Sequence, residues 1–242
     1  MRVIKKTIKK IFRELGFDLI RYNPVSSHNA RILKFFSTYN IDAVLDVGAN
    51  IGQFAMGLRE SGYKGRIISF EPLSEAYSHL LINSKKDPNW IIAPRMAIGN
   101  EEGKKSINIS GNSVSSSILK MTNTHIKGAP ESVYISSEEV YINKLDNIWG
   151  TFLKNKNNIF IKIDVQGYEL QVLEGAINIL PKIKGVQIEL SLVPLYENQL
   201  LFLGMLDYIT NLGFELCDIS PGFRDIQSGK LLQFDGIFFR SF

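Results

Sequence analysis

Residues 44–54, VLDVGANIGQF, leave few folds open to this chain. The segment begins as a short run that is apolar apart from Asp46. It meets glycine at Gly48 and Gly52 and passes directly into the helical spacing of residues 53–61. Such a run has no regular polar alternation, so both of its faces must be covered, which places it inside a sheet. The glycines let the backbone approach a neighbour or a ligand closely, and the helix start behind them offers unpaired N–H groups.

The same rhythm continues along the chain. Apolar runs at residues 43–47, 66–70, 90–97, 159–164, 186–190, 214–219 and 234–240 read as strands. Helical stretches at 53–61, 74–84, 145–153 and 169–180 separate the first five. This alternation predicts an α/β fold, doubly wound, with a mostly parallel sheet. A helix near 199–212 and a turn-rich SPGFRDIQSGK predict a closing hairpin that sets one C-terminal antiparallel strand into the sheet. Neither a repeat nor an internal linker is visible. The expected division is a basic helical N-terminal extension over residues 1–39 and one domain over 40–242, with a helix near 29–39 capped by Ser26 or Ser27. Residues 101–143 break the rhythm: two short exposed strands flank a Ser/Asn/Gly-rich stretch that reads as a lid, a binding loop or a mobile segment.

Charge is unevenly spread. Residues 1–22 hold Arg2, Lys5, Lys6, Lys9, Lys10, Arg13 and Arg21 against Glu14 and Asp18, so the rest of the chain sums to −1 although the whole carries +4. The basic character therefore belongs to one arm and does not make the domain a nucleic-acid binder. In that arm Ile4, Ile8, Ile11, Phe12, Leu15 and Leu19 recur at helical spacing. Two readings are open: a helix packed on the domain, or a peripheral helix resting on anionic lipid. The single cysteine, Cys217, and the absence of an apolar run of ~18 residues predict a cytoplasmic protein, peripheral at the inner membrane face if the second reading holds.

Four features bear on the ligand. The dinucleotide fingerprint wants glycine at the first, third and sixth loop positions, and here those are Gly48, Asn50 and Gln53. No Gly-Lys-Ser/Thr phosphate loop is present. An acid leading into a glycine turn suits a cation better than a pyrophosphate, because its carboxylate can pair with an ammonium. Glu71 ends the next strand, 23 residues after Gly48, where a carboxylate can accept ribose hydroxyls. S-adenosylmethionine, with its ammonium and sulfonium for the acid and its ribose for Glu71, is consistent with all four. Asp46, Gly48, Asn50, Gly52, Glu71 and Ala97 are the expected cofactor-binding residues.

The two cofactor segments, with MAIGNEEG at 96–103, IKIDVQGYELQVLEGA at 161–176, IELSLVPLYENQ at 188–199 and residues 213–240, resemble the FkbM family of S-adenosylmethionine-dependent methyltransferases. The resemblance covers roughly residues 40–240. It implies a seven-stranded Rossmann-like methyltransferase sheet and O-methylation, with acceptors that are often sugar hydroxyls of glycans or glycolipids and sometimes polyketide-type alcohols. Gln166 stands where many members have glutamate.

Methyl transfer to a hydroxyl needs in-line positioning and a base or cation near the oxygen. Asp164 and Glu189, at the ends of adjacent strands, are the candidate catalytic pair, acting as base and orienting group or sharing a divalent metal. Each also has a structural reading: Asp164 as cofactor contact or helix cap, Glu189 as half of an ion pair. Glu169 reads as a capping acid, and Lys162 as a carboxylate partner or a snorkelling side chain. His28, His79 and His125 are scattered, which argues against zinc; His125 is read as a surface-loop residue or a base over the acceptor. Tyr196 and Phe223 either stack on a sugar ring or pack locally. The functional alternative is a non-catalytic module of cofactor fold serving glycan assembly.

Overall fold

The computed structural model describes residues 2–153 and 157–241 and, within the first helix, side chains from Lys6 onward. Residue 1 and the side chains of Arg2, Ile4 and Lys5 in the basic arm lie outside the described residues.

In chain order the elements are α1 (Arg2–Glu14), α2 (His28–Thr38), β1 (Ala43–Val47), α3 (Gln53–Ser61), β2 (Arg66–Phe70), α4 (Ser74–Ser84), β3 (Trp90–Ile92), β4 (Ala97–Ile98) and β5 (Gly103–Ser110). There follow α5 (Asn123–Gly128), β6 (Tyr134–Asn143), α6 (Leu145–Phe152), β7 (Ile159–Ile163), α7 (Glu169–Glu174), β8 (Ile183–Ser191), α8 (Phe202–Asn211), β9 (Phe214–Pro221) and β10 (Gln233–Arg240). Seven strands form one sheet in the order β3-β2-β1-β7-β8-β10-β9, and β10 alone runs antiparallel to its neighbours. The strand order reverses direction beside β1, where β2 lies on one side and β7 on the other. In open α/β sheets such a switch point opens the ligand crevice.

Alternate residues of β1 enter opposite cores, as double winding requires. Ala43, Leu45 and Val47 pack with Leu145 of α6, Val172 and Leu173 of α7, and Met205 and Ile209 of α8. Val44 packs with Ile32 and Phe36 of α2, Ala55 and Leu58 of α3, and Leu80 of α4. The Ser27 hydroxyl caps α2 by accepting from the Ala30 amide, a contribution of ~1 kcal/mol. Ile32 and Phe36, both buried, contribute about 1.5–3 kcal/mol each, so packing rather than the cap holds α2. Although α2 falls within residues 1–39, it is part of this core; the arm outside the core is α1 with residues 15–22.

Two elements end earlier than their hydrophobic pattern predicts. The run 90–97 splits because Pro94 has no amide to give the ladder, and Ala97–Ile98 joins a second sheet, β4-β6-β5. The helix predicted over 169–180 stops at Glu174. A Cβ on Gly175 would stand 1.9 Å from the Gly99 carbonyl oxygen, so the chain is pinned there and resumes as a 3-10 turn at Leu180–Lys182.

Residues 111–133 form a built wall rather than an open loop. Ser117 is fully buried and its hydroxyl donates to the Gln166 carbonyl at 2.6 Å. The Thr122 amide donates to the Leu195 carbonyl and the Glu197 amide to that of Lys120. His125, expected at the surface or over an acceptor, is 3% exposed and wedged between the rings of Tyr196 and Phe223; burial lowers its pKa to about 4, so it stays neutral.

Most of the arm's apolar stripe is not packed on the domain: Ile8, Ile11 and Phe12 of α1 and Leu15 just beyond it are exposed, and Leu19 is half-buried. Among the described residues no helix is long and apolar enough to cross a membrane.

Candidate active site

The carboxyl ends of β1, β2, β7 and β8 and the amino end of the antiparallel β10 border a cavity of about 360 Å³, closed on its far side by the second sheet and the 111–133 wall. The glycine loop forms its floor. Gly48, at φ +76°, and Ala49 both donate their amides to the Phe70 carbonyl, at 3.1 and 3.0 Å. The Gly48 carbonyl accepts from Lys162 Nζ at 3.0 Å.

Glu71 ties this loop to the next strand end. Its Oε2 accepts from the Asn50 amide and its Oε1 from the Leu73 amide, both at 2.8 Å, which leaves further lone pairs toward the cavity it lines. Burial raises its pKa to about 7, the two amide bonds only partly offsetting the lost hydration.

A row of polar side chains crosses the middle of an otherwise apolar sheet. Strand register sets Ser69, Asp46, Lys162 and Gln187 side by side on β2, β1, β7 and β8. Lys162 Nζ lies 3.1 Å from Asp164 Oδ2 and 3.6 Å from Asp46 Oδ1. Burial would neutralise this ammonium, yet the two carboxylates hold its pKa above the usual lysine range. Burial would likewise raise Asp164, but Lys162 and hydrogen bonds keep it below the ordinary aspartate value. Asp46, farther from the ammonium, is left raised by burial.

Next to this row, Asp235 on β10 stands opposite Glu189 on β8. Glu189 is pushed well above the carboxylate range by burial and by the charges of Asp164 and Asp235, and Asp235 is raised to about 6 by the same causes in kind. Gln166, held at φ +57°, joins the candidate pair: its Nε2 donates to Asp164 Oδ1 at 2.7 Å and to Glu189 Oε2 at 2.6 Å. Its Oε1 accepts from the Tyr196 hydroxyl at 2.7 Å.

Of the cofactor-binding and catalytic candidates from sequence, Gly48, Asn50, Glu71, Ala97, Asp164 and Glu189 line the cavity together. Two do not. Asp46 is fully buried behind the loop, where it accepts from the Ser69 hydroxyl and faces the Lys162 ammonium. Gly52 is needed for helix–sheet packing: a Cβ there would meet the Trp90 ring at 2.5 Å. The position that a metal shared by Asp164 and Glu189 would take is filled by the Gln166 amide, a hydrogen-bond donor, so that expectation does not fit. No group of three or more His, Cys, Asp or Glu able to hold a metal occurs among the described residues. Of the two readings open for Tyr196, stacking on a sugar or local packing, the structure has the second: the ring is buried and its hydroxyl serves the Gln166 clamp. Glu169 accepts from the Val165 and Gly167 amides, as a capping acid does.

Gln187 and Asp235 were not among the expected site residues. Their signal was a polar side chain interrupting the buried runs VQIEL and FDGIFF, since a polar group inside an apolar strand must find a partner or a ligand.

The sheet order, its one antiparallel strand and the crevice at the switch point define a Rossmann-like α/β domain of the methyltransferase type. The chain belongs to the methyltransferase FkbM domain family, which matches residues 46–216. Hexuronic acid methyltransferase AglP of Haloferax volcanii is 29% identical over 149 residues, 62% of this chain; the match spans 56% of that protein's length. Among solved structures, magnesium protoporphyrin IX methyltransferase of Synechocystis PCC 6803 with bound SAM aligns at TM-score 0.46 and 8% identity, covering 88% of this chain and 80% of that one. Aeropyrum pernix fibrillarin in complex with natively bound S-adenosyl-L-methionine aligns at TM-score 0.44 and 9% identity, covering 81% and 66%.

Proposed function

We propose that the cavity binds S-adenosylmethionine and that the domain transfers its methyl group to a hydroxyl oxygen of a sugar. One observation carries the reading. Asp164, Asp235 and, above about pH 7, Glu71 line the cavity as charged carboxylates, and Lys162, the one cation among its lining residues, is already paired with Asp46 and Asp164. Such a site prefers a cationic ligand. Only the class, a carbohydrate, comes from the relative named for hexuronic acid; which sugar fits depends on this chain's own lining.

Glu71 would hold the ribose and the Gly48–Asn50 backbone would run beneath the sulfur side. S-adenosylmethionine, when bound, supplies an electrophilic methyl on a positive sulfur. Asp164, kept ionised by Lys162, takes the proton of the acceptor hydroxyl. Gln166 fixes the Asp164 carboxylate against Glu189, which retains its own proton. Positioning of the acceptor oxygen supplies much of the remaining rate.

Isothermal calorimetry from pH 6 to 8 tests the cofactor step. A cation is bound best by ionised carboxylates, and Glu71 titrates near 7 in the free protein. Affinity for S-adenosylmethionine is expected to rise about tenfold over that interval with release of about one proton, read from buffers of different ionisation enthalpy. The free protein has the opposite trend. Carboxylates raised above their unfolded values stabilise the fold below about pH 4.5, and that contribution is lost as pH rises through 6 to 7. Absence of binding heat at every pH sinks the proposal.

A further inference from the structure

We infer that the β8–β10 end of the cavity is a subsite that reads hydroxyl groups of a neutral acceptor sugar, and that acidic sugars are turned away there. The inference rests on the methyl-transfer reading and names its acceptor class.

Sheet order divides the cavity. Glu71 on the β2 side and the glycine loop after β1 occupy one end; Gln187 and Glu189 of β8 and Asp235 of β10 occupy the other. A cofactor whose ribose is held by Glu71 leaves the second end to the acceptor.

Gln187 is the telling residue. It is only 5% exposed and lines the cavity, yet its Oε1 has no partner. A buried acceptor left open is costly, so it needs a donor from a ligand. Asp235, opposite Glu189 in the strand register, adds more acceptor oxygens. Hydroxyls donate to Gln187 and Asp235, and a hydroxyl oxygen can accept from the protonated Glu189. A carboxylate brings no donor and a like charge. Recognition of an anion calls for an arginine or a free ammonium. Here no arginine lines the cavity, and Lys162 is held by Asp46 and Asp164.

The test uses the full chain saturated with S-adenosylhomocysteine, with saturation-transfer NMR on methyl glucopyranoside, methyl mannopyranoside and their uronic acid counterparts. Neutral glycosides are expected to bind and uronates to bind at least about tenfold more weakly. Gln187→Met keeps the side-chain volume and removes the open acceptor. It should weaken neutral glycosides about tenfold and leave the cofactor product's Kd within about twofold. It should also raise the Tm of the free protein by about 2–4 °C, since a buried unpaired group is gone. Uronates binding as well as neutral sugars, no neutral glycoside binding, or a Gln187→Met protein with lowered Tm and unchanged glycoside affinity would each overturn the subsite. Failure of S-adenosylhomocysteine to bind indicts the cofactor reading instead, and with it this inference.

A different observation supports a second proposal: that α1 rests on an anionic lipid bilayer. At about 100° per residue, Ile8, Ile11, Phe12 and Leu15 fall within roughly 100° of arc, with Lys6, Lys9, Lys10 and Arg13 on the opposite side. All eight side chains are exposed, and Phe17 and Ile20 extend the apolar surface beyond the helix. A basic helix with an uncovered apolar stripe matches a negatively charged, partly apolar surface. The full chain should float with vesicles containing about 30% phosphatidylserine and not with phosphatidylcholine alone, and about 0.5 M salt should weaken it several-fold. Ile11→Ser with Phe12→Ser should abolish flotation. Equal binding to neutral vesicles, no flotation, or a dimer that the same double variant dissociates would overturn the proposal.

Discussion

A Gly48→Ala protein is expected to lose at least about 100-fold in S-adenosylmethionine affinity and about 2–4 kcal/mol in stability. The residue sits at φ +76°, and its added Cβ would lie 1.8 Å from the Asp164 carbonyl oxygen and 2.8 Å from the carbonyl carbon. Neither side can yield cheaply. The Asp164 amide donates to the Val47 carbonyl, which locks the end of β7 against β1. Gly48 itself donates to Phe70 and accepts from Lys162. The loop must therefore move by more than an ångström, and the floor of the cavity moves with it. At roughly 2–4 °C per kcal/mol for a domain of this size, Tm should fall by about 5–15 °C. Gly57→Ala is the control. It lies in α3 with nothing within 4 Å of its new Cβ, and it should stabilise by about 0.5–1 kcal/mol with cofactor affinity unchanged. If Gly48→Ala binds the cofactor as the wild type does, the glycine loop is not the floor of the site.

That loop was the most legible part of the chain, and the reason is physical. A strand buried on both faces, a glycine turn and a helix leave a pattern confined to a few neighbouring residues. The same locality made α3, β2 and β7 readable from their apolar runs. Gly52 shows where such reading stops. Its sequence signal equals that of Gly48, but it is needed to leave room for Trp90, a residue 38 positions away. Asp46 is similar: its place at a strand end pointed to a ligand, and only the register of β1 with β7 reveals that Lys162 faces it instead. The Ser-rich stretch reads as a lid, a binding loop or a mobile segment because its serines are polar; Ser115, Ser116 and Ser117 are buried, and hydrogen bonds tie the run to Gln166 and within itself. Contacts that close between distant strands leave no periodicity to read. Polar interruptions of buried strands come nearest to such a signal, and Lys162, Gln187 and Asp235 all carried it.

Replacing Lys162 by methionine is expected to destabilise the protein by about 3–5 kcal/mol at pH 8, because it strips the counter-charge from fully buried Asp46 and half-buried Asp164. Methionine replaces most of the packing volume, so the loss is chiefly electrostatic. Asp46 would be left with one oxygen bonded to Ser69 and the other facing no donor, and Asp164 would keep only its hydrogen bonds. The pH dependence separates this cause from a packing defect. Without the ammonium both aspartates take a higher folded pKa. An acid raised in the folded state contributes its stability at low pH and loses it as pH rises through that value. The gap in Tm between variant and wild type should therefore be widest near pH 8 and narrow toward pH 5; a packing defect would leave it constant. Adding Asp46→Asn to Lys162→Met removes one of the stranded charges and should recover about 1–2 kcal/mol at pH 8, and this coupling is absent if the two residues act independently. A Lys162→Met protein as stable as wild type at pH 8 would mean that the carboxylates on this sheet are protonated already. The acidic cavity on which cation binding depends would then be largely neutral, and the case for a sulfonium cofactor would lose its electrostatic support.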